Sequence, residues 1–193
     1  MELKILGTFH LLKFMVHGSI RRDHSIDTAY LLTSQRCFHV DELIIDNCSA
    51  LTDLSEIKQN DSIRKLTLQG LNNVKLPRRW DILNPNLTTL KIKLCTHFCG
   101  LTFPVEHHPD RPESTRVEEY KLKTMKITQC QDLEDLTFVS RFKHLQTFTL
   151  KRCYNVRAEG DISNVIQKFK RIDLNETLLH RHEGYLAKLK EAV

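Results

Sequence analysis

Cysteine and histidine are the residues of this chain best suited to chemistry, and they form one suggestive cluster. The stretch CTHFC places His97 between Cys95 and Cys99, and thiolates and imidazoles are the usual ligands of zinc. A tetrahedral site needs four ligands, and His107 and His108 could complete it only through a bend that no motif indicates. The sequence therefore predicts neither a metal nor a cofactor.

The motifs of common catalytic sites do not occur in the sequence. It contains no glycine-rich phosphate loop, no Gly-x-Ser-x-Gly turn and no His-Glu-x-x-His pair. Neighbouring carboxylates such as Glu118 and Glu119 lie in a strongly charged stretch and are interpreted as solvated surface. We therefore expect a protein that is not an enzyme.

Composition favours one soluble domain. The 193 residues include 29 Lys and Arg against 24 Asp and Glu, a net charge of +5 that either favours acidic partners or is ordinary surface chemistry. The apolar N-terminus lacks a basic leader and a cleavage site, and no stretch reaches the roughly 20 apolar residues of a membrane span. We expect a cytoplasmic or nuclear protein that does not bind membranes. Against this, Asn-x-Ser/Thr patterns occur at Asn47, Asn60, Asn86 and Asn175.

A nine-residue unit is repeated along the chain. The copies are VDELIIDNC from Val40, IRKLTLQGL from Ile63, LTTLKIKLC from Leu87, LKTMKITQC from Leu122, LQTFTLKRC from Leu145 and FKRIDLNET from Phe169. Their starts are 23, 24, 35, 23 and 24 residues apart, and a weaker copy, LLKFMVHGS, starts at Leu11. A period in this range is typical of solenoid proteins.

The fourth and sixth positions of every copy are apolar, as at Leu43 and Ile45 or Met125 and Ile127. Alternation with a period of two predicts a short strand with one buried face. A second apolar set follows the ninth position with helical or irregular spacing. Each unit is therefore predicted to be a strand, a turn and a compact return leg.

This unit resembles the leucine-rich repeat, Leu-x-x-Leu-x-Leu-x-x-Asn/Cys-x-Leu, over about residues 11–177, although Leu71 and Thr177 depart from its ninth position. The resemblance implies an α/β repeat solenoid: a horseshoe with a concave parallel β-sheet and short irregular or helical convex legs. Its usual use is to bind a protein partner. The irregular, cysteine-containing repeats also look like the substrate receptors of F-box-type ubiquitin ligases or the sensing end of immune receptors, and the sequence shows no F-box.

The whole chain, 1–193, is interpreted as one solenoid domain with caps at both ends. Residues 1–10 are predicted to form an N-terminal cap, and residues 178–193, which place leucines at helical spacing, a C-terminal capping helix. The long interval between repeats contains a proline-rich, charged insertion near 102–121, which we expect to project as a loop. Its residues His107, His108, Asp110 and Arg111 are candidate accessory contacts, with a disordered excursion as the alternative.

Four cysteines share the ninth position of their repeats: Cys48, Cys95, Cys130 and Cys153. The resemblance places a small inward side chain there, so we expect a buried ladder of free thiols acting as small apolar groups. Cysteines used in this way favour a reducing compartment.

Outward positions of the strands should form the binding surface. If positions three, five, seven and eight point outward, the concave face has a basic middle and an acidic first rung. The candidate partner-binding residues are Lys65, Thr67, Lys91, Lys93, Lys126, Thr128, Thr149, Lys151, Arg152 and Arg171. Crowded lysines predict an acidic protein partner, and the scarcity of aromatic residues argues against nucleic acid. The alternatives are a solvated lysine face or a structural subunit of a larger assembly.

Overall fold

In a computed structural model of the protein, residues 9–17, 38–48, 51–103, 120–156 and 171–173 are described, with side chains at 40–48, 51–55, 57–103 and 120–156. The predicted capping helix at 178–193 lies outside these ranges. So do residues 1–8 of the predicted N-terminal cap and residues 104–119 of the insertion.

Seven strands form one parallel sheet in the order β1-β2-β3-β5-β7-β8-β9. They are β1 (Phe9–His17), β2 (Phe38–Asp46), β3 (Lys65–Gln69), β5 (Thr89–Lys93), β7 (Thr124–Thr128), β8 (Thr147–Lys151) and β9 (Arg171–Asp173). Strands β4 (Arg79–Trp80) and β6 (Gly100–Leu101) form a second, two-stranded parallel sheet. Each strand of the large sheet pairs with the next strand of that sheet along the chain, and β4 and β6, which belong to the small sheet, are skipped. The architecture is thus a parallel β-sheet solenoid of about four turns with little helix, as the repeat predicts.

The strand register is the alignment of the repeat copies. Leu43 lies opposite Leu66, Leu66 opposite Leu90 and Leu90 opposite Met125, all at the fourth position. The weak first copy joins in the same alignment, because Leu11 lies opposite Val40. A shift by one residue would expose every apolar side chain of a strand, so burial of one face fixes this register.

The legs opposite the sheet are short and differ from turn to turn. Two contain 3-10 helices, at Ser55–Gln59 and Thr137–Arg141, and two contain β4 and β6. Both 3-10 helices follow an aspartate that accepts a hydrogen bond from the backbone N–H two residues on, 2.9 Å from Ser55 N to Asp53 and 2.7 Å from Thr137 N to Asp135. The bond from Ser55 N holds the pKa of Asp53 below its ordinary value. The two legs that contain 3-10 helices thus begin with the same aspartate-stabilised turn.

In the five repeats whose eighth position is described, that position has a left-handed backbone. The φ angles are 52° at Asn47, 63° at Gly70, 55° at Leu94, 57° at Gln129 and 54° at Arg152. Four of these residues donate their N–H to the seventh position of the next rung, as from Leu94 to Thr128 at 2.9 Å. The turn therefore ends the strand without breaking the hydrogen bonding between rungs.

The predicted cysteine ladder is confirmed. Cys48, Cys95, Cys130 and Cys153 are buried, and the Sγ of each lies near the backbone oxygen two residues earlier, as at 3.2 Å between Cys95 and Lys93. Burial raises the pKa of Cys95 to about 11. The hydrogen bond between the Cys130 and Cys153 thiols, together with burial, raises the pKa of Cys130. Leu71 occupies the same position in the second rung and is also buried, so its departure from the motif leaves the geometry of that turn unchanged.

Aromatic rings fill the space between the legs. Trp80 packs on Phe98 with centroids 4.8 Å apart, and Phe98 meets Phe138 edge-on at 6.4 Å. A second cluster joins Phe103, Tyr120 and Phe142 with centroids 5.5–5.9 Å apart. Because Phe103 and Tyr120 flank the insertion, the rings hold its two ends together.

Candidate interaction surface

The solvent-facing side of the sheet, called here the strand face, consists of the third, fifth and seventh positions of each strand. On β3, β5, β7 and β8 these positions hold only lysine, threonine and a glutamine. They are Lys65, Thr67, Gln69, Thr89, Lys91, Lys93, Thr124, Lys126, Thr128, Thr147, Thr149 and Lys151. The middle of the strand face thus presents ammonium and hydroxyl groups and no carboxylate.

Three lysines form a compact group at the centre of this face. Lys91 lies directly opposite Lys126 on the neighbouring strand, and Lys93 follows Lys91 by two residues on the same face. All three are exposed. Within the described part of the chain none of them forms an ion pair, whereas Lys65 lies 3.7 Å from Asp41. We call Lys91, Lys93 and Lys126 the central lysines.

Among the described side chains, the carboxylates of the strand face lie on β2. Glu42 and Asp46 lie on β2, opposite Lys65 and Gln69, and Asp173 lies on β9, opposite Thr149. The acidic first rung expected from the sequence corresponds to β2, and the basic middle corresponds to the strands that follow β2 in the sheet. An acidic ligand would be attracted to β5 and β7 and repelled by the carboxylates of β2.

The remaining predicted contacts lie at the margins. Lys151 belongs to β8, whereas Arg152 follows it in the left-handed turn and is exposed. Arg171 begins β9, opposite Thr147. The accessory residues His107, His108, Asp110 and Arg111 lie outside the described residues, so the structure brings together the strand residues of the predicted site and leaves its loop untested.

The CTHFC stretch has structural contacts on the leg side. Cys95 belongs to the buried ladder, and the Sγ of Cys99 lies 3.2 Å from the backbone oxygen of Asp132. His97 Nδ1 lies 3.3 Å from the Asp132 carboxylate, which also lies 3.6 Å from Arg78. Across the described ranges, no three His, Cys, Asp or Glu residues are grouped so as to hold a metal ion.

Three exposed apolar residues belong to a surface that the sequence reasoning missed. Among the described side chains the large exposed apolar ones are Val74, Leu94 and Tyr154, at 76%, 38% and 51% exposure. They occupy positions twelve, eight and ten of their repeats, which are five, one and three residues beyond the ends of β3, β5 and β8. The sequence does contain a signal for this surface, which is Leu94 itself. Its position, the eighth of the repeat, holds Asn, Gly, Gln or Arg in the other copies that start between Val40 and Leu145.

Comparison of the chain with protein-family models, with curated proteins and with solved structures gives no match. No helix of the described residues is long and apolar enough to cross a membrane.

Proposed function

We propose that this protein is a leucine-rich-repeat-type interaction module that binds an acidic segment of a protein partner on the strand face, without catalysing a reaction. The observation that carries the proposal is the direct opposition of Lys91 and Lys126, with Lys93 beside them and no carboxylate on the middle strands. A parallel solenoid presents such side chains on a rigid framework, which suits recognition of an extended ligand.

Electrostatics favour an anionic ligand over an empty face. Like charges directly opposite on adjacent strands destabilise a sheet, in which favourable cross-strand pairs contribute about 0.2–1 kcal/mol each. A carboxylate placed between Lys91 and Lys126 would turn this repulsion into two favourable contacts. The flanking hydroxyls of Thr67 and Thr149, in the same row, can donate further hydrogen bonds to carboxylate or backbone oxygens.

The side chains on this face favour a protein over a nucleic acid. Single-stranded nucleic acids are usually held by aromatic side chains on which the bases stack, and the middle strands offer lysine, threonine and glutamine only. The same positions carry no histidine, carboxylate or thiol that could act as an acid, a base or a nucleophile. The narrower role of substrate receptor in a ubiquitin ligase stays a prediction of the resemblance.

The test compares two charge-reversal variants of the full chain. Lys91→Glu/Lys126→Glu reverses the charge at the centre of the strand face. Lys123→Glu/Lys143→Glu makes the same change in net charge at two exposed lysines that do not belong to the strand face. Binding of a fluorescein-labelled Glu/Asp peptide is measured by anisotropy at several salt concentrations. Proteins recovered by each variant from cell lysate are compared by mass spectrometry.

We expect the wild type and the Lys123/Lys143 variant to bind the peptide with similar affinity, weakening as salt rises. The Lys91/Lys126 variant should bind at least tenfold more weakly and lose the acidic partners that the control recovers. Equal loss in both variants would indicate a response to net charge alone. Unchanged binding by the Lys91/Lys126 variant would show that the strand face is not the site.

A further inference from the structure

The three exposed apolar residues all follow the ends of strands. Leu94, Tyr154 and Val74 lie one, three and five residues beyond the ends of β5, β8 and β3, and we call them the exit-rim residues. Scattered exposed apolar residues need no explanation. Leu94 is distinguished by its place directly after Lys93, one of the central lysines.

Leu94 is exposed in a backbone conformation that disfavours leucine. Its φ of 55° lies in the left-handed region, where a side chain with a Cβ is disfavoured and only Gly, Asn and Asp are common. The neighbouring repeats place Gly70 and Gln129 at this position. Because Leu94 is 38% exposed, burial in the free protein only partly offsets the strain. Gln129 and Arg152 adopt the same backbone conformation, so the turn itself is common to the repeats, and what distinguishes Leu94 is its exposed apolar side chain.

The rim around Leu94 is continuous with the strand face. Lys93, one of the central lysines, immediately precedes Leu94 and accepts a hydrogen bond of 3.0 Å from Gly70 N. Leu94 N donates to Thr128 O at 2.9 Å, and Thr96 N donates to the Asn72 side chain at 2.9 Å. These bonds fasten the rim from rung to rung, so Leu94 is presented beside Lys93 on a fixed backbone.

We infer that the ligand of the strand face is an acidic segment that also carries an apolar side chain, which packs on Leu94 at the exit rim. This inference rests on the proposed function and narrows it from acidic segments in general to those with an apolar anchor beside the acidic residues. Apolar anchors surrounded by charges are typical of the residues that dominate binding at protein interfaces.

Two labelled peptides and two variants test the inference. The peptides have the same Glu/Asp flanks and net charge, and differ only in a central leucine or serine. Leu94→Asn removes the apolar surface and installs the residue that Asn47 provides in the first clear repeat. Leu94→Met keeps an apolar side chain and is the matched control.

We expect the wild type and Leu94→Met to bind the leucine peptide about tenfold more tightly than the serine peptide, the preference expected from burying a few apolar carbons. Leu94→Asn should bind both peptides with the affinity of the wild type for the serine peptide. Because asparagine tolerates the left-handed region, this variant should melt at or above the wild-type temperature, which excludes unfolding as the cause.

The outcomes separate the two proposals. If the wild type binds both peptides equally, or Leu94→Asn keeps the preference for leucine, the apolar anchor is refuted and binding of the serine peptide still supports the acidic-ligand proposal. If the wild type binds neither peptide, both proposals are overturned.

Discussion

Lys91 and Lys126 lie directly opposite each other on adjacent parallel strands, with no carboxylate at any outer position of those strands. The two neighbours that continue their row, Thr67 and Thr149, are threonines. Sheet geometry would therefore accept threonine at either lysine. Lysine at both positions instead brings two like charges together, which is expected to lower the stability of the free protein.

Lys126→Thr should consequently stabilise the protein. Removing one of two like charges is expected to raise the free energy of unfolding by about 0.5 kcal/mol, which corresponds to roughly 1–2 °C in melting temperature for a chain of this size. The gain should shrink as salt rises, because salt screens the repulsion that is removed. Thermal melts at low and high salt measure both effects.

Lys143→Thr is the control, since Lys143 is exposed and has no ion pair among the described residues. It should change the melting temperature by much less at either salt concentration. A destabilised Lys126→Thr variant at low salt would show that the lysine pair is not repulsive in the free protein.

Gly70 is the glycine on which the turn of the second rung depends. Its φ is 63°, and a Cβ at this position would lie 2.2 Å from the Asn47 side-chain oxygen. Gly70→Ala should lower the free energy of unfolding by about 2 kcal/mol, because the left-handed conformation alone costs alanine about 1–2 kcal/mol. Urea denaturation measures the loss.

The contribution of the Asn47 contact can be separated with a second substitution. Asn47→Gly preserves the left-handed turn at φ 52° and removes the oxygen that the new Cβ would meet. Gly70→Ala should therefore cost less in the Asn47→Gly background than in the wild type. Equal costs in both backgrounds would assign the whole effect to backbone conformation.

The strands could be predicted from the sequence because two independent patterns agree on them. Alternating apolar residues such as Leu90 and Ile92 identify a half-buried strand, and the spacing of 23–24 residues aligns one strand with the next. The burial of Cys95 and its equivalents follows from the same alignment. Local pattern and long-range register were both encoded in the repeat.

The turns and legs were harder to predict because tertiary contacts determine them. Gly70 and Asn47 indicate a left-handed turn at the eighth position, but Leu94 and Gln129 do not, and hydrogen bonds to the next rung enforce the conformation there. Strands β4 and β6 have two residues each, too few for any periodicity. Contact of Trp80 with Phe98 accompanies their pairing.

The buried thiol of Cys95 should make the free energy of unfolding fall as the pH rises into the alkaline range. Its pKa is raised from 9.0 to about 11 in the folded state, so the unfolded chain releases this proton more readily. Stability from the buried neutral thiol is therefore complete below about pH 9 and declines as pH rises towards 11, by about 2 kcal/mol in total. Cys95→Ala should remove this part of the decline.

Urea denaturation between pH 8 and 10.5 in the presence of a reductant measures the effect. Wild type should exceed Cys95→Ala in unfolding free energy at pH 8, and the difference should narrow steadily with pH. Leu71→Ala, at the equivalent position without a titratable group, should show a difference from wild type that does not change with pH. Parallel curves for Cys95→Ala and wild type would contradict the assignment.

Because of the three-ring cluster of Phe103, Tyr120 and Phe142, the stability of the solenoid should not depend on the insertion between Phe103 and Tyr120. Phe103 and Tyr120 have centroids 5.8 Å apart and both contact Phe142, and Lys121 N donates to Pro85 O at 3.2 Å. Replacing residues 104–119 by a short Gly-Ser linker should therefore change the melting temperature by no more than about 2 °C, since closure entropy depends only weakly on loop length.

Phe142→Ala should instead lower the free energy of unfolding by about 3 kcal/mol or more, because it removes the ring that both ends of the insertion contact. If excision destabilises the protein as much as Phe142→Ala does, residues 104–119 contribute to folding and the cluster alone does not close the turn. If excision leaves melting unchanged, the same variant tests the accessory role of His107, His108, Asp110 and Arg111. Weaker peptide binding would then report lost contacts, because the strand face itself would be intact.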